Sequence, residues 1–326
     1  RDTDAPVLES VVIPEVAAEA GQVFYEKGEK YGYYTNKQVK AIVTMSDGEN
    51  GSGVKKITWY LVDENGKKHE EKTSKGKQAT IEIPSKFKGF IYVRAEDQLG
   101  NVSSCDYTAS GIISENGNLH KKHSDIQLKT QNAAAVDKKG NALYRNNTSV
   151  KVVVKDDYSG IRKVEWSVQA PHDIEKNYEG VCEVSNEGVI SDSNWKVANS
   201  QSNLVTELHG NLAVKNNSND IVVTVKMTDR AGNISQKTIN MSIDKTNPEI
   251  NVSFQGKAQK DIYQETRVAT IQIRERNFVE QDVKFSIKNA DQVMPMVSEW
   301  KEIVDEENPD NTLHVATIEF DQDGEY

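Results

Sequence analysis

At 326 residues the chain is long for one small β domain and suits two or three units of about 100 residues each. Hydrophobic residues make up only 36% of it, which fits many short strands joined by polar turns. The 50 Asp and Glu outnumber the 40 Lys and Arg, for a formal charge of −10; no basic block argues for nucleic acid, and no apolar run is long enough for a membrane span.

The chain opens on DTDAPVLESVVIP, where Pro6 and Pro14 bracket a short strand and place it at a sheet edge. A strand is expected at 39–45. SDGENGSGVKKITWYL follows, a polar turn feeding a strand, with Gly53 six residues before Trp59. Asn65-Gly66 is a strong hairpin signal, and further strands are expected at 79–83, 90–96 and 102–108, with turns at 84–88 and 97–101. The polar run 110–123 reads as a linker, which sets a first domain at 1–117.

The same plan then repeats. Strands are expected at 126–128 and 150–154, with a turn at 139–141 between them. The phrase DDYSGIRKVEWSV again puts Gly160 six residues before Trp166. Val164, Trp166 and Val168 share one strand face and Lys163, Glu165 and Ser167 the other, so each Trp reads as a core plug. Strands at 221–228 and 234–243 flank DRAGN, which stands where DQLGN stood in the first repeat. The second domain, 118–246, differs by a polar stretch near 169–203 that reads as an insertion, with few strand signals beyond 180–184.

IDKTNPEI opens a third unit, 247–326, and echoes RDTDAPVL at the start of the chain. Strands are expected at 268–273, 283–287 and 313–320, with Phe285 in the Trp place of a degraded third phrase. The closing Asp323, Gly324 and Tyr326 look like a tyrosine corner, after which two more strands should follow. The third domain is therefore expected to lack its last strands. That, and a start without Met, predicts a longer parent protein.

Such turns and strands, SGIRKVEWSV, DQLGN, DRAGN and DKTNPEI, resemble bacterial Ig-like repeat domains of long surface-anchored or secreted proteins, Gram-positive and gut bacteria among their sources. The resemblance implies tandem all-β immunoglobulin-like sandwiches, the third incomplete. It also implies a non-catalytic, extracellular stalk or spacer, with adhesion through its own loops as an added role. Its partners would be neighbouring modules and a host or bacterial surface glycan or protein. A carbohydrate-binding accessory region of a secreted glycoside hydrolase is the alternative.

Reactive motifs are sparse. No nucleophile elbow, Gly-rich phosphate loop or HExxH occurs, so no catalytic residue is assigned. Cys105 and Cys182 fall in different repeats and read as unpaired thiols. His120 and His123 lie three apart but lack a nearby Cys or third ligand, so a zinc site is not expected there. Calcium is the one cofactor kept open, with Asp156, Asp157 and Asp244 as candidates among turn aspartates that include Asp47, Asp97 and Asp229; lacking the EF-hand ladder, they read first as turn formers. Tyr25, Tyr31, Tyr33 and Tyr34 crowd together. Tyr34, Tyr144 and Tyr263 recur at matching places and read as structural. Tyr31, Tyr33, Tyr178 and Trp195 are the candidates for an exposed ligand-contact surface.

Overall fold

A computed structural model describes residues 1–16, 30–108, 111–256, 262–288 and 294–326. Alternating β-branched and polar residues form strands throughout, and the turns fall where Gly, Asn and Asp stand. In the first unit the strands are β1 (Val7–Val12), β2 (Tyr31–Thr35), β3 (Val39–Ser46), β4 (Val54–Asp63), β5 (Lys72–Lys75), β6 (Gln78–Ile83), β7 (Lys86–Asp97), β8 (Tyr107–Thr108) and β9 (Gly111–Glu115). One sheet runs β1-β3-β6 and the other β2-β9-β7-β4-β5, with β8 beside β7. A short helix, α1 (Gly117–His123), follows.

The second unit comprises β10 (Ser124–Thr130), β11 (Ala135–Val136), β12 (Ala142–Tyr144), β13 (Thr148–Asp156), β14 (Ile161–Gln169), β15 (Tyr178–Glu183), β16 (Lys196–Gln201), β17 (Leu204–Val214), β18 (Ser218–Asp229) and β19 (Ile234–Ile243). Its sheets are β10-β13-β17-β16 and β11-β12-β19-β18-β14-β15. In strand letters these are A-B-E-D against A′-G-F-C-C′, with the two-residue β11 added beside A′, the immunoglobulin arrangement, and unit one shows the same order without D or that added strand. Both units also pair A′ with G in parallel, β2 with β9 and β12 with β19. The chain is thus an all-β array of immunoglobulin-like sandwiches.

Each complete unit has its own core. Val43, Ile57, Ile81, Ile91 and Val93 lie at the centre of the first, Val150, Val164, Leu208, Val223 and Met227 at that of the second. Burying one such side chain is worth about 1.5–3 kcal/mol. Trp59 is buried in the first core, and Trp166 packs half-buried against the second. Both DxxGN turns form: the Oδ1 atom of Asp97 accepts from Leu99 N and Asn101 N at 2.9 and 2.8 Å, and that of Asp229 accepts from Asn233 N at 2.7 Å. Cys105 is exposed and Cys182 buried, both as free thiols.

Four expectations are corrected. The strand expected at 102–108 is reduced to β8 and one bridge, because the G strand lies further on, at β9, with Ile112 and Ile113 fully buried. The run 110–123 is therefore no linker: it contains β9 and α1, whose Asn116 cap accepts from Asn118 N and Leu119 N. The stretch 169–203 is no insertion either. It supplies β15 and β16, the outer strands of both sheets. Finally, 283–287 forms no strand, and Phe285 is 40% exposed. The described part of unit three is a single sheet, β20 (Glu249–Gln255), β21 (Arg267–Arg274), β23 (Leu313–Phe320) and β22 (Lys301–Ile303) in that order, or A-B-E-D.

Candidate functional site

The strands of unit two that end in Asp156 and Asp229 deliver both carboxylates to the pole facing unit one. Glu115 ends β9 at the last residue of unit one, and α1 brings His120 over it. All three carboxylates are fully buried, and His120 is 4% exposed. Local structure dictates this convergence. Three successive amides, of Tyr158, Ser159 and Gly160, donate to Asp156 Oδ1 at 3.2, 3.0 and 3.1 Å, a turn that needs Gly160 at φ 83°. Ser159 N also donates to Glu115 Oε2 at 3.1 Å, and Asn233 Nδ2 donates to the Glu115 carbonyl at 2.7 Å.

Each carboxylate thus has one oxygen held by main-chain amides and the other turned toward His120. His120 Nδ1 lies 2.8 Å from Asp229 Oδ2, 3.3 Å from Asp156 Oδ2 and 3.9 Å from Glu115 Oε1. On the other side of the ring, Nε2 is 2.7 Å from Ser235 Oγ, which is 3.0 Å from Ser124 Oγ. Burial and then the charges of Asp156 and Asp229 push Glu115 up to about 8, and burial raises Asp156 as well. Burial alone would lower His120, but the Asp156 and Asp229 carboxylates outweigh it and hold the imidazole at about 10. Such a group is suited to hold a proton or a cation between the units rather than to meet a substrate.

An apolar and aromatic shell surrounds the cluster. Tyr31, Tyr34 and Ile113 of unit one pack on Tyr158 and Leu204 of unit two. Asn203 reaches across to donate to Tyr31 O at 3.0 Å and to accept from Tyr31 N at 3.1 Å. Lys88, whose pKa burial lowers, lies over the rings of Tyr31 and Tyr158 at 5.6 and 5.5 Å.

Of the calcium candidates, Asp156 belongs to this cluster. Asp157, next to it, points away: its side chain is 68% exposed and sits 2.6 Å from His123 Nδ1. Asp244 lies at the second joint, where Arg276 replaces the imidazole as the buried cation. Arg276 Nη2 is 3.2 Å from Asp244 Oδ1 and donates to Ile243 O and Asn217 Oδ1, each at 2.9 Å. Asn277 Nδ2 donates to Asp244 Oδ2 at 2.7 Å, and burial with the Asp244 charge pushes Glu275 beside it up to about 7. Asp47 and Asp97 come together with Asp2 at the corresponding pole of unit one.

The proposed aromatic surface is not assembled. Tyr31 and Tyr33 are buried, Tyr31 stacked on Phe90 and Tyr33 donating to Val11 O at 2.9 Å. Trp195 is buried too, packed against Trp166 in a slot left open by Gly210, where a Cβ would meet the Trp195 ring at 2.7 Å. Only Tyr178 among those four is open to solvent, at 37%, and its hydroxyl donates to Ala213 O at 2.5 Å. Tyr34 and Tyr144 are buried as structural residues, while Tyr25 lies outside the described residues. Sequence reading missed Glu115 and set His120 aside for want of a third ligand, because Asp156 and Asp229, which meet its ring, lie far along the chain. The signal was there in the strand-end aspartates of the two repeats, Asp47 with Asp156 and Asp97 with Asp229.

Among the described residues no helix is long and apolar enough to cross a membrane. No family model matches the chain, and no curated protein matches it. Among solved structures, a marsupial T cell receptor chain aligns over 91% of this chain and 92% of its own, at 9% identity and a TM-score of 0.36. A second chain of that title covers 94% of each at 8% identity and 0.26. Dimeric latent PorU from Porphyromonas gingivalis aligns over 99% of this chain and 31% of its own, at 10% identity and 0.25. At such scores the immunoglobulin-like assignment rests on the strand order given above.

Proposed function

We propose that this chain is a non-catalytic, tension-resisting spacer from a bacterial cell-surface or secreted protein, holding neighbouring modules apart. The observation that carries the reading is the parallel pairing of the A′ and G strands in both complete units, Tyr33 with Ile112 and Leu143 with Ser242 among the partners. Pulling on the two ends of a unit slides these strands past each other. Their hydrogen bonds lie across the force and share it, instead of opening one at a time. The extracellular location is part of the same reading and is supported by the repeat motifs described above.

Single-molecule pulling on the intact chain tests this. Units one and two should each unfold in a discrete event, releasing about 30–40 nm of chain apiece. Ala142→Pro, which removes an amide on the side of β12 that faces β19 (the side on which Tyr144 O, two residues on, accepts from Asp244 N at 2.8 Å), should lower the force of one event and spare the other. Smooth extension without discrete events would contradict the reading, and so would a force unaffected by Ala142→Pro.

A further inference from the structure

We propose that Glu115, His120, Asp156 and Asp229 form a four-coordinate site for a divalent transition-metal ion of the zinc type, joining unit one to unit two. The inference stands on geometry and goes beyond the spacer reading, which does not require it. The donors are Glu115 Oε1, Asp156 Oδ2, Asp229 Oδ2 and His120 Nδ1, all within 4.8 Å of one another. Three of these atoms, Glu115 Oε1, Asp156 Oδ2 and His120 Nδ1, are buried and make no hydrogen bond. The 2.8 Å approach of Nδ1 to Asp229 is close but is not aligned as one. Buried polar atoms that make no hydrogen bond are rare and call for a ligand or a functional reason.

Both the size and the kind of ion follow from the donors. A tetrahedral zinc with bonds of 2.0–2.2 Å places its ligand atoms about 3.4 Å apart. The three separations from His120 Nδ1, 2.8, 3.3 and 3.9 Å, straddle that value. Because main-chain amides occupy the other oxygen of each carboxylate, all three bind through one oxygen. That leaves one nitrogen and three oxygens, against the six to eight oxygens calcium prefers.

The surrounding shell is also that of a metal site. Ser235 Oγ, 2.7 Å from His120 Nε2, can accept a hydrogen bond from Nε2–H and so hold the tautomer that leaves Nδ1 free for the ion, and Asn233 Nδ2 donates to Asp229 Oδ2 at 2.9 Å. Glu115 ends unit one while Asp156 and Asp229 belong to unit two, so an ion held here fixes the two units to each other.

The test is titration of the chelator-treated full chain with Zn²⁺, Co²⁺ and Ca²⁺, followed by calorimetry and, for Co²⁺, visible absorption. One equivalent of Zn²⁺ should bind, Co²⁺ should show the strong visible bands of tetrahedral coordination, and Ca²⁺ should not compete. Asp229→Asn and His120→Gln should abolish this binding, whereas His123→Ala and His209→Ala should retain it. Should either ligand variant fail to fold, Ser235→Ala keeps every donor and should weaken binding about 10–100-fold. Binding unaltered by Ser235→Ala and by either ligand variant that folds, preference for Ca²⁺, or no uptake of Zn²⁺ would each overturn the assignment.

Discussion

Glu275 shows how burial at a joint makes stability depend on pH. Its carboxyl stands at about 7 in the folded chain, raised by burial and by Asp244. An acid with a raised folded pKa binds its proton more tightly folded than unfolded. Its contribution is fully present below about 4.5, the ordinary carboxyl value, and is lost as pH rises through about 7. The wild-type chain should therefore lose about 1–2 kcal/mol across that window relative to Glu275→Gln, as read from urea unfolding in a pH series. A constant difference between the two would show that Glu275 does not titrate there. Trp195 gives a second residue-scale prediction. Trp195→Ala should cost unit two about 3–5 kcal/mol, and Gly210→Ala should also destabilise it by closing the slot under the indole. Trp59 and Trp166 were legible from the sequence because each sits in an alternating strand after a fixed turn. Trp195 was not, since its cover is the absence of a side chain at Gly210, on another strand.

At the scale of elements, the two DxxGN turns differ in how firmly they tie a neighbouring strand end. In unit one Asn101 Nδ2 donates to Asp97 Oδ2 at 2.6 Å and to the Asp2 carbonyl only at 3.5 Å. In unit two Asn233 makes the same contact with Asp229 at 2.9 Å and also satisfies the buried carbonyl of Glu115. Asn233→Ala should thus destabilise the chain more than Asn101→Ala, by about 1–3 kcal/mol in thermal or urea unfolding. Equal effects would mean that the Glu115 carbonyl finds another partner. The turns were plain in the sequence, and so were most strands of both complete units. The segment 110–123 was misread because its polar composition hides a fully buried strand, Gly111–Glu115, and a capped helix. Likewise β15 and β16 are edge strands with little apolar face, so their pairing, not their composition, makes them strands. In unit three Val283, Phe285 and Ile287 do alternate with Lys284 and Ser286, yet no described strand pairs with them, the sheet there being only β20-β21-β23-β22.

Across the whole molecule, the two complete sandwiches meet through a face that is charged at its centre and aromatic around it. Taking one member out of a buried ionic cluster strands the others and costs about 3–5 kcal/mol. The first joint should accordingly behave as part of the folded core, with units one and two moving as one body. Its wiring was invisible in the sequence because the four groups are 115, 120, 156 and 229 along the chain and only the fold brings them together. The most direct measurement is the distance distribution between spin labels at Glu82→Cys and Lys151→Cys, both exposed strand positions, in a Cys105→Ser background. A single narrow distance is predicted, broadening in His120→Ala. A broad distribution in the parent chain, or one that His120→Ala leaves unchanged, would contradict a locked joint.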